Sequence, residues 1–481
     1  MKKNYFLAIA VAAFLLAATV AQAADVSFSG QFRPRLQVNN DSSDDTSGRT
    51  NLTTRVRLNA NANVNANTSV FMQFQSIGTW GNAGANGNTR VSAGGSDGVH
   101  DVGLHQAFLT LKSFMGQALD AKIGRQEIVL DGHRLFGHTG WTDGAQTNDA
   151  IRLNHSAGNH TINAIYIAAI ENEAENTLTK NNSDYWILRA ATQGVLGGDL
   201  TGYFVVADDD NAGGAEFDDN NTWYTIGARQ KGKLGGLDYR VEYYHQFGDG
   251  AVPAGAQAFS GAYNTTVNDS ADVDRNAHMF GIRVGKTFKN AKMSPTITLW
   301  YDNLSGTDDS DAASDDYGAF NTVQDTGHKF YGLIDNFGAV GAGGTGYYGL
   351  QDYAIKTKLK LSDTNTFKMD WHHFETQTTL DDGDSDTLRT NHAAMGSATT
   401  GTMNGDLGQE VDLTLVHKYD ANTKIIAGYS HYFTTTAFAR LNGGGSTAGA
   451  GANEDQDWMY VMVDTKRSEE RRVGKECRSR W

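Results

Sequence analysis

The sequence predicts an all-β fold: a transmembrane antiparallel β-barrel of about eighteen strands, with short periplasmic turns and long extracellular loops. Three observations carry that prediction. Residues 26–38 alternate without error, with Val26, Phe28, Phe32, Leu36 and Val38 on one face and Ser27, Gln31, Arg33, Arg35 and Gln37 on the other. Such period-2 alternation gives a strand one apolar and one wet face. The chain opens on a secretory signal, so the apolar face is expected to meet lipid rather than a soluble core. Finally, short and long connections alternate along the chain, which a secreted soluble sandwich has no reason to show.

Residues 1–23 form the signal, with Lys2 and Lys3 before an apolar stretch and Ala21-Gln22-Ala23 as the cleavage site. No later segment approaches the ~18 apolar residues that a membrane helix needs. The outer-membrane barrel is expected over 24–466 as one domain. Its strands are expected at 26–38, 52–65, 68–76, 104–112, 119–126, 149–155, 160–168, 184–192, 199–207, 222–231, 237–246, 277–288, 295–302, 347–361, 366–374, 409–419, 423–433 and 458–466. Three prolines in 481 residues suit a sheet in which most N–H groups must pair. Long intervals such as 76–103, 247–276, 303–346 and 375–408 alternate with short ones such as 194–198, 232–236 and 420–422. An even strand count returns both ends of the barrel to the periplasmic side.

Residues 467–481 are abruptly basic, break the alternation and read as a non-native tail, the translation of a sequencing adapter; they hold the sole cysteine, Cys477. In a closed barrel the first strand must pair with the last. A tail of this kind would cut the last strand short, and the chain as written is then expected to assemble poorly. Leaving out this tail and the signal moves the formal net charge from −15 to −20 for residues 24–466, which argues against a nucleic-acid partner. The acid concentrates in long intervals, in Asp208–Asp210, Asp218, Asp219, Asp308, Asp309, Asp311, Asp315, Asp316, Asp381, Asp382, Asp384 and Asp386. These clusters lack EF-hand spacing and are read as solvated loop charge, with no metal site.

Alternation assigns a facing to most charges. The wet face takes Arg33, Arg35, Arg55, Arg57, Arg152, Arg229, Arg240, Arg283, Lys356, Lys358, Lys360, Lys368 and Lys418. Against them stand Asp120, Asp238, Glu242, Asp302, Asp352, Asp370, Glu410 and Asp412. A cation facing lipid at mid-membrane costs ~2–4 kcal/mol, so confinement to one face fits a barrel. Taken singly, each arginine is read as bracing the wall against a carboxylate; taken together, they are read as an anion pathway. The interval 128–148 carries Ile128, Val129, Leu130, Leu135, Phe136 and Trp141 among glycines, and is expected to fold inward, with Leu135, Phe136 and Trp141 constricting the pore.

The segments Gln106-Ala107-Phe108-Leu109, Lys122-Ile123-Gly124-Arg125-Gln126, Asp131-Gly132-His133-Arg134-Leu135-Phe136-Gly137, Trp141 and Asp149-Ala150-Ile151-Arg152-Leu153, with Gly428–Phe433 and Trp458–Val463, resemble the alginate export family of outer-membrane proteins. The resemblance implies an eighteen-stranded barrel in the bacterial outer membrane with an electropositive pore. Such a pore passes an anionic, uronate-type polysaccharide or, in a porin relative, small anions. It also adds Arg125 and Arg134, with Arg152, as pore-facing or loop-anchoring residues. Expected partners are outer-membrane lipid and lipopolysaccharide, the anionic solute, and the barrel-assembly machinery.

Two other functional classes remain open at this stage. An enzyme needs a nucleophile beside a base, yet His155-Ser156 and Ser430-His431 are sequence neighbours that face opposite ways on a strand, as do His372 and His373. No enzyme activity and no cofactor are therefore expected. The barrel could instead sheathe an electron-conducting haem protein, without a C-x-x-C-H motif of its own, or serve a structural or adhesive role through its acidic loops.

Overall fold

The computed structural model describes residues 25–40, 49–80, 102–170, 183–209, 222–251, 272–307, 316–337, 348–378, 405–441 and 454–469. Most of the acidic loop positions lie outside them. The strands are β1 (Asp25–Asn40), β2 (Arg49–Asn63), β3 (Thr68–Thr79), β4 (Gly103–Leu111), β5 (Leu119–Gln126), β6 (Asn148–Ala157), β7 (His160–Ile170), β8 (Ser183–Val195), β9 (Gly198–Asp209) and β10 (Thr222–Leu234). They continue with β11 (Leu237–Ala251), β12 (Asp272–Thr287), β13 (Thr296–Leu304), β14 (Asp316–Tyr317), β15 (Leu350–Lys360), β16 (Asn365–Glu375), β17 (Asp406–Lys418), β18 (Thr423–Thr434) and β19 (Gln456–Glu469).

Every expected strand is present, displaced by a few residues at its ends. Each pairs antiparallel with its chain neighbour, β13 passes to β15, and β19 returns to β1, so eighteen strands close a ring. The two-residue β14 lies beside β12 in parallel, outside the antiparallel ring. Among the described residues no helix is long and apolar enough to cross a membrane.

The seam between β1 and β19 runs from Asn40 opposite Asp457 to Phe28 opposite Glu469. The last strand is therefore longer than the expected 458–466, and its backbone continues through Arg467–Glu469 against β1. The ladder of this seam therefore runs past Lys466, and the ring is closed.

Alternation decides which residues meet lipid. Phe28, Phe32, Leu36, Val56 and Leu58 are exposed on the outer face, whereas Arg33, Arg35 and Arg55 on the same strands are buried within the ring. A soluble core would reverse that assignment; in a bilayer the exposed band is the favourable one. Inside, a hydrophobic cluster joins wall residues of many strands, including Ile167, Tyr185, Val205, Tyr244, Leu304, Phe374 and Tyr432, to residues of two connecting segments. Each fully buried aromatic or aliphatic side chain contributes about 1.5–3 kcal/mol. The lumen thus holds a packed core of its own.

Candidate functional site: a plugged lumen

Two connections fold into the barrel. The first, residues 127–147 between β5 and β6, buries Ile128, Leu130, Leu135 and Phe136. The second, residues 316–337, buries Phe320, Phe330, Tyr331 and Phe337. They join edge to edge: Gly137 N donates to Gln324 O (2.7 Å), Gln324 N to Leu135 O (2.9 Å) and Thr326 N to His133 O (3.2 Å). Asn148 Nδ2 adds a bond to Gln324 Oε1 at 2.9 Å. A Cβ on Gly137 would strike the Thr326 side chain, so only glycine lets the two segments approach this closely.

The wall holds this double plug with charge. Arg33 donates to Gly140 O (2.8 Å) and Trp141 O (3.0 Å) and pairs with Asp143 (2.6 Å). Arg35 reaches Trp141 O (2.7 Å) and Asp143 (3.2 Å), with its guanidinium 4.6 Å from the Trp141 ring centroid. Arg55 donates to Gly140 O and Thr142 O. Burial raises the Asp143 carboxyl, but Arg35, Thr53 and Arg33 outweigh it, and the group sits below the usual carboxylate range. Trp141 is sandwiched further by His328 (4.4 Å, 10°) and stands edge-on to Trp458 and Tyr460.

Across the barrel, Arg134 is buried between the plug and the wall. It pairs with Asp302 and with Glu242 (3.4 Å), bonds the Tyr331 hydroxyl and lies 3.8 Å from the Phe330 ring centroid. Arg229, Arg240 and Arg283 crowd the same two carboxylates at 3.4–3.8 Å. The second plug segment is fixed at its far end by Glu410, which accepts from Leu333 N (2.6 Å) and Ile334 N (2.9 Å). Beside them Gly332 has φ +85° with its α-carbon against that carboxylate, a position closed to any side chain.

The plug core leans on the arc from β6 to β18. What it leaves open lies against β1–β3, β18 and β19: a chamber of about 940 Å³ lined by Arg33, Arg55, Arg57, Lys329, Lys424 and Lys466, with Glu127 and Asp464 as its carboxylates. Arg57 is held by Gln75 (2.7 Å), Glu127 (3.3 Å) and His105 (3.1 Å). Burial, and then Arg240, Arg229 and Arg134, push the Lys329 ammonium below its usual range. His133 is lowered to about 4 by burial and by Lys329 and His138.

The sequence-assigned residues take several different places in the barrel. Arg33, Arg35 and Arg55 face inward and are engaged by the plug, and Arg33, Arg55 and Arg57 line the chamber. Arg134, Arg229, Arg240 and Arg283 form the buried ionic cluster. Arg152 faces inward opposite Lys122, and Lys356 pairs with Asp370 at 3.0 Å. Lys358 is exposed on the inner face, and Lys360 lies at the rim, bound to Asp363 of the turn (2.8 Å). Arg125 is a correction: it pairs with Asp149 (2.6 Å), both half exposed, on the outer face shared with Ile123 and Ile151. Leu135 and Phe136 are wholly buried in the plug core and do not border the chamber, whereas Trp141 does. The alternation could not reveal Asp143, Glu127 or the whole second segment. Among the described residues no group of three or more metal-ligating side chains is placed to hold an ion.

The alginate export family matches residues 24–449. The chain belongs to the alginate export family. Solved structures share the barrel at low identity. Pseudomonas aeruginosa OccK9 (OpdG) superposes with TM-score 0.55 at 11% identity, over 92% of this chain and 99% of that one. Acinetobacter baumannii OccAB1 gives 0.52 at 12% identity, over 92% and 97%. Pseudomonas aeruginosa OpdK, solved with vanillate, gives 0.52 at 10% identity, over 92% and 99%. No curated protein sequence matches the chain. As a member of the alginate export family with a closed eighteen-stranded ring, the protein is a bacterial outer-membrane channel of porin type, in contact with outer-membrane lipid, and not an enzyme.

Proposed function

We propose that this channel passively conducts anionic solutes of the carboxylate or uronate class through a basic lumen. The observation that carries the reading is the chamber beside the plug, where Arg33, Arg55, Arg57, Lys329, Lys424 and Lys466 face two carboxylates. Among the described residues no carboxylate pairs with Arg55, although it is buried beside Arg33 and Arg57. Rings of Arg and Lys lower the barrier for anions and raise it for cations. A solute that enters the chamber comes within reach of these cations.

The test is the reversal potential of purified barrel in a planar bilayer under a potassium chloride gradient. The expected sign is that of anion preference, weakened in Lys329→Gln and reversed or abolished in Arg57→Glu. Cation preference in the unaltered protein would overturn the reading, and absence of conductance would favour a structural or adhesive barrel.

A further inference from the structure

We infer that the junction between the two plug segments is a proton-operated latch, closed while His133 and His138 are neutral and opened when both take up protons. The inference concerns when the lumen opens and is independent of which ions it prefers. His133 and His138 lie on the first segment with their rings 5.3 Å apart, and both border the chamber, within reach of solvent protons. Thr326 of the second segment is the side chain they meet. Its Oγ1 accepts from Thr139 N at 3.2 Å and lies 3.3 Å from His133 Nδ1. A neutral ring accepts the threonine's hydroxyl proton at Nδ1, and the joint is satisfied. A protonated ring only donates there, so the hydroxyl must find another acceptor and the bond between the segments is inverted. His138 is no better prepared. Its Nδ1 is buried without a partner among the described residues, and an imidazolium needs both nitrogens to donate.

The surroundings oppose a charge at either ring. His133 is held at about 4 by burial and then by Lys329 and His138. Burial also keeps His138 below the usual imidazole range, helped by Arg57 and Arg55 on β2 and by Lys329 on the second segment. Glu127 pulls the other way, but it already pairs with Arg57 (3.3 Å) and His105 (3.2 Å). By contrast, His105 and His328 stand against carboxylates, His328 with Asp335 at 2.8 Å. Asp325 shares the second segment but is engaged by Arg134 and Thr322, in the ionic core behind the joint.

The joint is also held under backbone strain. His133 (φ +67°), Thr139 (φ +44°) and Val323 (φ +63°) lie in the left-handed region, which side chains disfavour and β-branched ones most of all. Such conformations persist only where the surroundings over-determine them, and they relax when those contacts go. The closed joint excludes protons that the open one takes up. The open form therefore gains as pH falls below the free imidazole value, and gains nothing above it. His133 alone then biases the balance toward the open form on the order of tenfold at pH 5. The Asp143 carboxyl lies below the usual carboxylate range, so the two latches yield in separate intervals of pH.

The experiment records the conductance of the purified full-length barrel in a planar bilayer as the pH on both sides is lowered from 7.5 to 5 at constant salt. Mean conductance is expected to rise several-fold. Over the same interval, hydrogen exchange read by mass spectrometry is expected to show protection lost from peptides spanning 131–139 and 322–329 and kept in the strands. The variant His133→Asn, His138→Gln keeps an acceptor at the His133 Nδ1 position but takes up no proton at either site, and should conduct equally at both pH values. Heat-modifiable migration certifies that its barrel is folded. A current that falls or stays level in the unaltered protein, protection retained in the two peptides, or an acid response preserved in the double variant overturns the proposal. Should that variant already conduct fully at pH 7.5 because its plug is unseated, the exchange measurement on the unaltered protein decides alone.

Discussion

Two carboxyls with opposite environments govern how firmly the plug sits. Asp143 is the sole carboxylate that pairs Arg33 and Arg35 among the described residues, at 2.6 Å and 3.2 Å. Removing one partner of a buried pair leaves an uncompensated charge, worth about 3–5 kcal/mol. Asp143→Ala is therefore expected to free the 127–147 segment and raise single-channel conductance. Because the folded-state carboxyl lies below its unfolded value, its contribution is complete above the unfolded pKa and is lost as pH falls through the folded one, so acid also loosens this latch. Asp325 behaves in the opposite sense. Burial raises it to about 7, only partly countered by Arg134 and Thr322. The folded state then holds a proton that the unfolded chain releases, and the penalty grows as pH rises from about 4 to 7. Asp325→Asn is expected to raise the heat-modification temperature at pH 8, by an amount that disappears at pH 3; an equal gain at both values would refute the assignment.

At the level of elements, the two plug segments depend on one another. Gly137→Val pushes the first segment off Thr326, and is expected to increase conductance and current noise while leaving the barrel's migration unchanged, as read by bilayer recording and gel shift. Much of this architecture was legible in the sequence. The eighteen strands could be read because alternation is forced wherever one face meets lipid and the other meets polar groups. The first plug segment could be read because Ile128, Leu130, Leu135 and Phe136 are too apolar for a solvated loop. The second carries the same signal in Phe320, Phe330, Tyr331 and Phe337, but there it is diluted by the acids of the 303–346 interval. Arg125 was misassigned because a motif placed it. Alternation with Asp120 and Lys122 puts it on the outer face with Ile123, where the structure has it. Asp143 left no signal, since its role exists only once Arg33 and Arg35 are brought to it from more than a hundred residues away.

Over the whole molecule, the charges are layered. Among the described residues, lysines gather at the periplasmic rim, arginines and the carboxylates that pair with them lie at mid-depth, and Asp184, Asp208, Asp406 and Asp457 stand at the outer ends of their strands. The formal net charge of −15 is a sum over the whole chain and does not bear on the proposed anion preference, which rests on the cations lining the chamber. Raising ionic strength is expected to erode anion preference, because screening shortens to about 3 Å at 1 M salt and leaves only the closest cations felt.

The ring closes where β1 meets β19, and Gln31 Nε2 donates to Asp464 Oδ1 across 433 positions of chain. Every other junction in the ring joins segments that are near neighbours in sequence. The entropy of bringing distant segments together grows with the chain between them, and contacts of long sequence separation form slowly. The seam is thus the natural last step of assembly, and its loss is the first step by which the cylinder becomes an open sheet with two unsatisfied edges. The barrel's lifetime in denaturant should accordingly follow this one ladder more than its average stability. Gln31→Ala is expected to hasten unfolding several-fold in a timed gel-shift assay, while a comparable deletion at an ordinary hairpin, such as Asn59→Ala between β1 and β2, does so far less.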